Sequence, residues 1–409
     1  MGLLSLLWVG IAAAVAILSL SIQTPSLYLS HLLTFIGGIL FLPASKALFA
    51  RLKRWKEELG TENDAENPLY GLDHARLHLK TSPPPMWMNM GYWDRKACFP
   101  NCVPGEHGKS KPISLAVASR TLLSEVLKTA GFSVEKDGKH IARMGRVPSR
   151  ALLDLGFGCG EQTMYLCSLD PIRESDKQWW DSHESVPQLD FYVGITKNRK
   201  QYQYAQSGVQ VLTERLSGGQ PYAELPTGYS KHPRPIDIRL FCADASNPDS
   251  WNAELKQHIQ DTISQAEETW VLALDTLYHF SPSRWPILTF ASHTLKASFM
   301  AFDLCLADNI SLPNLLLLRL VTKLMGAPWA NFGTVETYRT RLREIGYRDV
   351  TVRDVSEHVF APLAAFLEAQ DEGLKRVGHG LGPFHVAKWM FDWWGRTGIV
   401  RGVIVVAKM

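Results

Sequence analysis

The chain has 409 residues, of which 46% are hydrophobic and 20% charged, and its net charge is +3. Such values describe a globular protein able to bury a large core and exclude a disordered chain. A charge so close to zero gives no ground for a nucleic-acid partner, so none is expected. Six cysteines are thinly spread; only Cys98 and Cys102 lie close together, and no second Cys/His pair answers them at ligand spacing. No metal site is therefore expected, and the thiols read as reduced and structural.

In chain order, the first element is apolar. Leu3 to Ile22 contains neither a charge nor a proline. As a helix it spans about 30 Å, the thickness of a hydrocarbon core. A signal peptide would carry a basic start, which is missing here. A second apolar run, Leu27 to Ala50, has an uninterrupted core only from Leu32 to Leu42. It reads either as a second span completing a hairpin or as a helix lying in the interface. Arg51-Leu52-Lys53-Arg54-Trp55-Lys56 follows, a basic cluster that favours the cytoplasmic side and anionic headgroups. The expected organisation is thus a membrane anchor over 1–50, a basic flank and linker over 51–85, and one catalytic domain over 86–409. That domain should face the cytosol, with the endoplasmic reticulum as one candidate membrane.

Ser82-Pro83-Pro84-Pro85 is a stiff extended stretch leading into Met86 to Asp94. Ile113 to Ala130 has helical apolar spacing and stops at Gly131. Seven apolar runs then alternate with helical stretches. They are Ala151–Leu155, Phe191–Ile195, Ile236–Cys242, Trp270–Leu274, a run within Ser298–Leu306, Tyr347–Val355 and Ile399–Ala407. The alternation predicts an α/β fold: a doubly wound, mostly parallel seven-stranded sheet covered on both faces. Lys388-Trp389-Met390-Phe391-Asp392-Trp393-Trp394 reads as a packed helix, with dipping into a membrane interface as the alternative.

The site signal is strongest at the first strand. It ends in Asp154 and runs straight into Gly156-Phe157-Gly158-Cys159-Gly160. Glycines there allow a tight turn, bare backbone beside a ligand and close helix packing. An acidic residue before the first glycine suits a cationic amino-acid ligand better than a diphosphate. The spacing also lacks the longer G-x-G-x-x-G of dinucleotide sites.

Leu152 to Gly160 resembles the first motif of class I S-adenosylmethionine-dependent methyltransferases, whose Rossmann-like fold the strand pattern matches. Gly194 to Gln201 with Tyr204-Ala205 resembles the second-strand signature of those acting on lipids and small metabolites. The resemblance runs over roughly 86–409. It implies S-adenosylmethionine as cofactor, framed by Gly156, Gly158 and Gly160, with Asp154 at its amino-acid end. Relatives carry an acidic residue at the end of the second strand to hold the ribose. Thr196 stands there instead, which hands the ribose to Thr196, Gln201 or backbone. Cys242 to Ser246 resembles the adenine loop, with Asp244 accepting from the amino group and Ala245 offering its N–H. The fourth strand's end faces the methyl group in this family, which makes Asp275 and His279 candidate bases.

Met88 to Trp93 resembles a lid motif of related small-molecule enzymes, with Tyr92 or Trp93 over the methionine end; the lid is expected over 86–94. A substrate cap is expected at about 310–340, where Leu312 to Trp329 is apolar. The implied activity is methyl transfer to a lipophilic small molecule or lipid. A methyltransferase acting on protein or nucleic acid, and a non-catalytic membrane scaffold, are the alternatives. The sequence carries neither the Asn/Asp-Pro-Pro-aromatic run of amino-methylating enzymes nor the paired-glutamate loop of arginine methylases. The acceptor atom and the oligomeric state are not legible in it.

Overall fold

A computed structural model describes residues 85–94, 96, 113–132, 148–167, 189–217, 236–376 and 378–409. The expected anchor, the basic flank and the Cys98/Cys102 pair lie outside these residues. Among the described residues, no helix is long and apolar enough to cross a membrane.

Sixteen elements matter here. In chain order they are α1 (Leu115–Ala130), β1 (Arg150–Leu155), α2 (Glu161–Leu166), β2 (Phe191–Thr196), α3 (Arg199–Ser217), β3 (Asp237–Cys242), α4 (Ala253–Gln265) and β4 (Glu268–Leu274). Then follow α5 (Trp285–His293), β5 (Ser298–Leu306), α6 (Leu312–Leu324), α7 (Val335–Glu344), β6 (Asp349–Asp354), α8 (Phe360–Lys375), α9 (Phe384–Thr397) and β7 (Val400–Lys408). Each expected strand is present, its ends shifted by no more than two residues. The expected stop at Gly131 is a left-handed glycine cap on α1, and Ser114 Oγ accepts from the Val117 N–H at its start.

The strands form one sheet in the order β3-β2-β1-β4-β5-β7-β6. Pairings from β3 through β5 are parallel, and β7 runs antiparallel to both β5 and β6. The sheet is therefore mixed, with a single reversed strand. This seven-stranded α/β sheet is the one expected for a methyltransferase fold.

Side chains alternate between two cores, as the strand period of two requires. Leu152 joins α1, α8 and α9 on one face, while Leu153 and Leu155 join α4, α5 and α7 on the other. Within α9, Met390, Phe391, Trp393 and Trp394 are buried, while Val386 and Trp389 are exposed. The packed-helix reading of that tryptophan-rich segment therefore holds over the interfacial one. β1 is flanked by β2 on one side and β4 on the other, so the strand order turns round at its carboxyl end. Open α/β sheets bind ligands at such a switch point.

Candidate active site

Four loops leave the carboxyl edge of β3, β2, β1 and β4 side by side, in that order. They carry Asp244, Thr196, the glycine loop and Asp275. Sequence-distant candidates are thus lined up along one edge by the strand order alone.

The glycine loop is built as a bare turn. Gly156, Gly158 and Gly160 have φ of 89°, 64° and 96°, in the region that disfavours other residues. A Cβ on Gly156 would lie 2.5 Å from Thr276 Cγ2, and one on Gly160 would lie 2.7 Å from Ala205 Cβ of α3. Those two glycines let neighbouring elements close in. Gly158 faces only Met88, with its sulfur 3.4 Å from the position of a Cβ. It is the point of the loop that offers backbone to a ligand. Thr276 Oγ1 donates to the Leu155 carbonyl and so ties the loop after β4 to the end of β1.

Asp154 has the parity of Leu152 and is fully buried. Its Oδ2 accepts from Tyr192 O–H at 2.6 Å and from Gln162 Nε2 at 2.7 Å. Its Oδ1 is buried with no hydrogen-bond partner. Burial pushes its pKa up to about 6 against the pull of those two donors. An unpaired carboxylate oxygen at this place fits a cationic ammonium, the group that the amino-acid end of S-adenosylmethionine presents. Tyr192, Gln162 and Glu161 were not among the residues expected from sequence. The side-by-side polar pair Glu161-Gln162 just past Gly160 was the available signal, because a helix start so close to a buried strand forces both inward.

Thr196 Oγ1 donates to Gln201 Oε1 at 3.1 Å, and the Gln201 N–H is bound by Asn198 Oδ1 at 3.0 Å. The two expected ribose residues thus come together, and Gln201 Nε2 also reaches Met88 Sδ at 3.5 Å. Asp244 is exposed, and its Oδ1 caps its own turn by accepting from the Ser246 N–H and Oγ. Ala245 is buried beside it.

Residues 85–94 cross this edge as a strap. The Met86 N–H donates to Glu161 Oε1, the Met90 N–H donates to Asp275 Oδ2, and Asn89 exchanges two bonds with Ser119 of α1. Asp275 also accepts from Tyr278 O–H at 2.9 Å and holds φ at 64°. Burial pushes its pKa up to about 8. Both its oxygens hold the strap and the loop after β4, so the geometry gives it a positioning duty rather than that of a base.

The His279 ring lies tilted against that of Tyr278, with centroids 4.2 Å apart. Burial, with a smaller contribution from Lys197, pulls it down to about 3. An imidazole so far below neutrality is a weak base. Tyr92 does not join Asp275 and His279. Its ring lies 4.5 Å from His358, and its hydroxyl is raised by burial and by Glu125. The motif at 88–93 does not say which way its tyrosine turns.

Sequence reading also missed a buried network behind the loop. Arg284 pairs with Asp303 and donates to the Asn331 carbonyl, and Asn331 Nδ2 holds the carbonyls of Tyr278 (3.1 Å) and Phe280 (2.8 Å). Nothing in Ser281-Pro282-Ser283-Arg284 advertises it. Within the expected cap region, α6 leaves Leu312, Leu316, Leu320 and Leu324 exposed.

No protein-family model matches the chain, and no curated protein is significantly similar to it. Similar solved structures include a mycolic acid cyclopropane synthase (14% identity, covering 83% of this chain and 95% of that one, TM-score 0.46). Another is a geranyl diphosphate methyltransferase (13% identity, 88% and 98% covered, TM-score 0.43). A third is the cyclase SpnF (16% identity, 82% and 93% covered, TM-score 0.43).

Proposed function

We propose that the chain binds S-adenosylmethionine along the edge from Asp244 to Asp154 and transfers its methyl group to a lipophilic small molecule or lipid. The observation that carries this reading is the buried, unpaired Asp154 Oδ1 beside a bare glycine loop at the sheet's switch point. Asp154 would hold the ammonium, the 156–160 backbone would pass under the ligand, and Thr196 with Gln201 would meet the ribose. Asp244 Oδ2 would take the adenine amino group. The bound cofactor supplies an already activated methyl. The chain's own task is then alignment and exclusion of water, which can provide much of the rate. Asp275 serves it by fixing the strap and the loop after β4 together.

Isothermal calorimetry tests the binding step. Micromolar to millimolar affinity for S-adenosylmethionine is expected, and no binding in that range would sink the reading. Gly158→Arg should weaken binding about a hundredfold or more by filling the approach over the loop. Retained affinity would mean that the site is misplaced. Extracts of cells with and without the protein, compared by mass spectrometry, should differ by one CH₂ in an apolar compound.

The same reading places the enzyme on the cytosolic face of a membrane. Its support is the uncharged run Leu3–Ile22 followed by the Arg51–Lys56 cluster. The full chain should stay in the membrane pellet through an alkaline carbonate wash. Release into the supernatant would exclude a spanning helix.

A further inference from the structure

α6 has two different faces. Leu318, Val321 and Thr322 are buried, whereas Leu312, Leu316, Leu320 and Leu324 are 51–66% exposed. Spacing of four keeps these leucines on one slowly turning stripe. Single exposed leucines mean little, but a contiguous row of four marks a surface for a partner. Arg319 and Lys323, also exposed, run along one border of the stripe, and the helix contains no acidic residue.

The helix ends in a cleft of about 520 Å³ lined by Arg319, Lys323, Thr322 and Trp329 among others, with no carboxylate among the described residues that line it. The Arg319 guanidinium lies over the Trp329 ring, 4.9 Å from its centroid. A leucine stripe, two cations on its border and a half-exposed tryptophan at its end form the amphipathic pattern of an interfacial helix. A second copy of the chain fits the same surface less well. A helix of 13 residues offers a face about 20 Å by 10 Å, far short of the roughly 800 Å² per partner that a stable interface buries. Two-fold pairing of the stripe would also bring Arg319, next to the helix centre, against its own copy.

We propose that α6 is a membrane-docking helix: its four leucines enter the acyl boundary of a bilayer while Arg319 and Lys323 receive an anionic phospholipid headgroup at the Trp329 cleft. This is independent of whether the chain transfers a methyl group. It gives the exposed leucines of the expected cap region a surface role that would bring the enzyme's edge to lipid.

The test uses the full chain with phosphatidylcholine vesicles, with and without phosphatidylserine, and reads hydrogen exchange of the 312–325 amides. Exchange should slow several-fold on phosphatidylserine-containing vesicles, and less on phosphatidylcholine alone. Leu316→Ser/Leu320→Ser should abolish the protection, and Arg319→Glu/Lys323→Glu should erase the difference between the two vesicles. These substitutions lie on exposed positions, so calorimetric binding of S-adenosylmethionine should be unchanged, which separates a failure of docking from a failure of the cofactor reading. Unaltered exchange on both vesicles would overturn the proposal. So would protection that appears without lipid and grows with protein concentration, since a second copy would then be the occupant. Equal protection on both vesicles in the parent chain would overturn the headgroup site.

Discussion

Asp154→Asn is expected to abolish S-adenosylmethionine binding and, in the cofactor-free protein, to remove a pH-dependent loss of stability. The carboxyl is fully buried with one oxygen unpaired, and burial holds its pKa at about 6. The ordinary value is about 3.9 in an unfolded chain. A folded-state value raised above the unfolded one means that the contribution is fully present below about pH 4. It is lost as the pH rises through 6. That difference corresponds to about 3 kcal/mol. Asparagine keeps an oxygen for Tyr192 and Gln162 and carries no charge; its unpaired N–H₂ has a cost that does not vary with pH. Urea denaturation of parent and variant at pH 4 and pH 8 should therefore show the difference between them moving by about 3 kcal/mol in the variant's favour. A difference that stays constant would mean that Asp154 is not destabilised by its charge. In the parent, a cation beside Oδ1 should reverse the sign of the effect. Affinity for the cofactor should rise about tenfold from pH 5 to pH 7 as the carboxyl ionises.

How much of this was legible depended on how local each feature is. β1, β4, β5 and β7 are near-continuous apolar runs because both their faces are covered, and such runs stand out in a sequence. The glycine loop and Asp154 sit within seven residues and declare themselves together. The reversal of β7 does not. Its apolar run looks like any other, and its direction follows from two consecutive helices, α8 and α9, between β6 and β7. Asp275 was found by its place at the end of a strand, yet its duty depends on the Met90 N–H, 185 residues earlier. Tyr92 was found by motif and assigned to the methionine end, while packing turned its ring to His358. Spacing reads the backbone's course well; it does not read which of several nearby polar groups a side chain chooses.

Arg284 is the extreme case, and it carries the second large effect. Its side chain is 1% exposed and that of Asp303 0%. Burial opposes its charge, but Asp303, Tyr338 and Cys305 together outweigh that and raise its pKa. Asp303 also accepts from Tyr338 O–H and from the Leu304 N–H, both at 2.8 Å, and the Arg284 N–H is bound by Asn331 Oδ1 at 2.7 Å. Arg284→Met should destabilise the fold by about 3–5 kcal/mol, because it leaves Asp303 charged and alone in the interior. Adding Asp303→Leu should restore part of that loss, since the orphaned charge leaves with it; the two substitutions are strongly non-additive. Urea unfolding of the two single variants and the double variant checks this, and simple additivity would show that the pair is not coupled. Asn331→Ala separates stability from function. It releases the Tyr278 and Phe280 carbonyls, so the loop that carries His279 and helps hold the strap loses its latch. Methyl transfer should then slow, with a fall in kcat larger than the change in cofactor affinity, because the lost interaction fixes geometry at the reacting end and not at Asp154. An equal fall in affinity and kcat would place the latch in ligand binding instead.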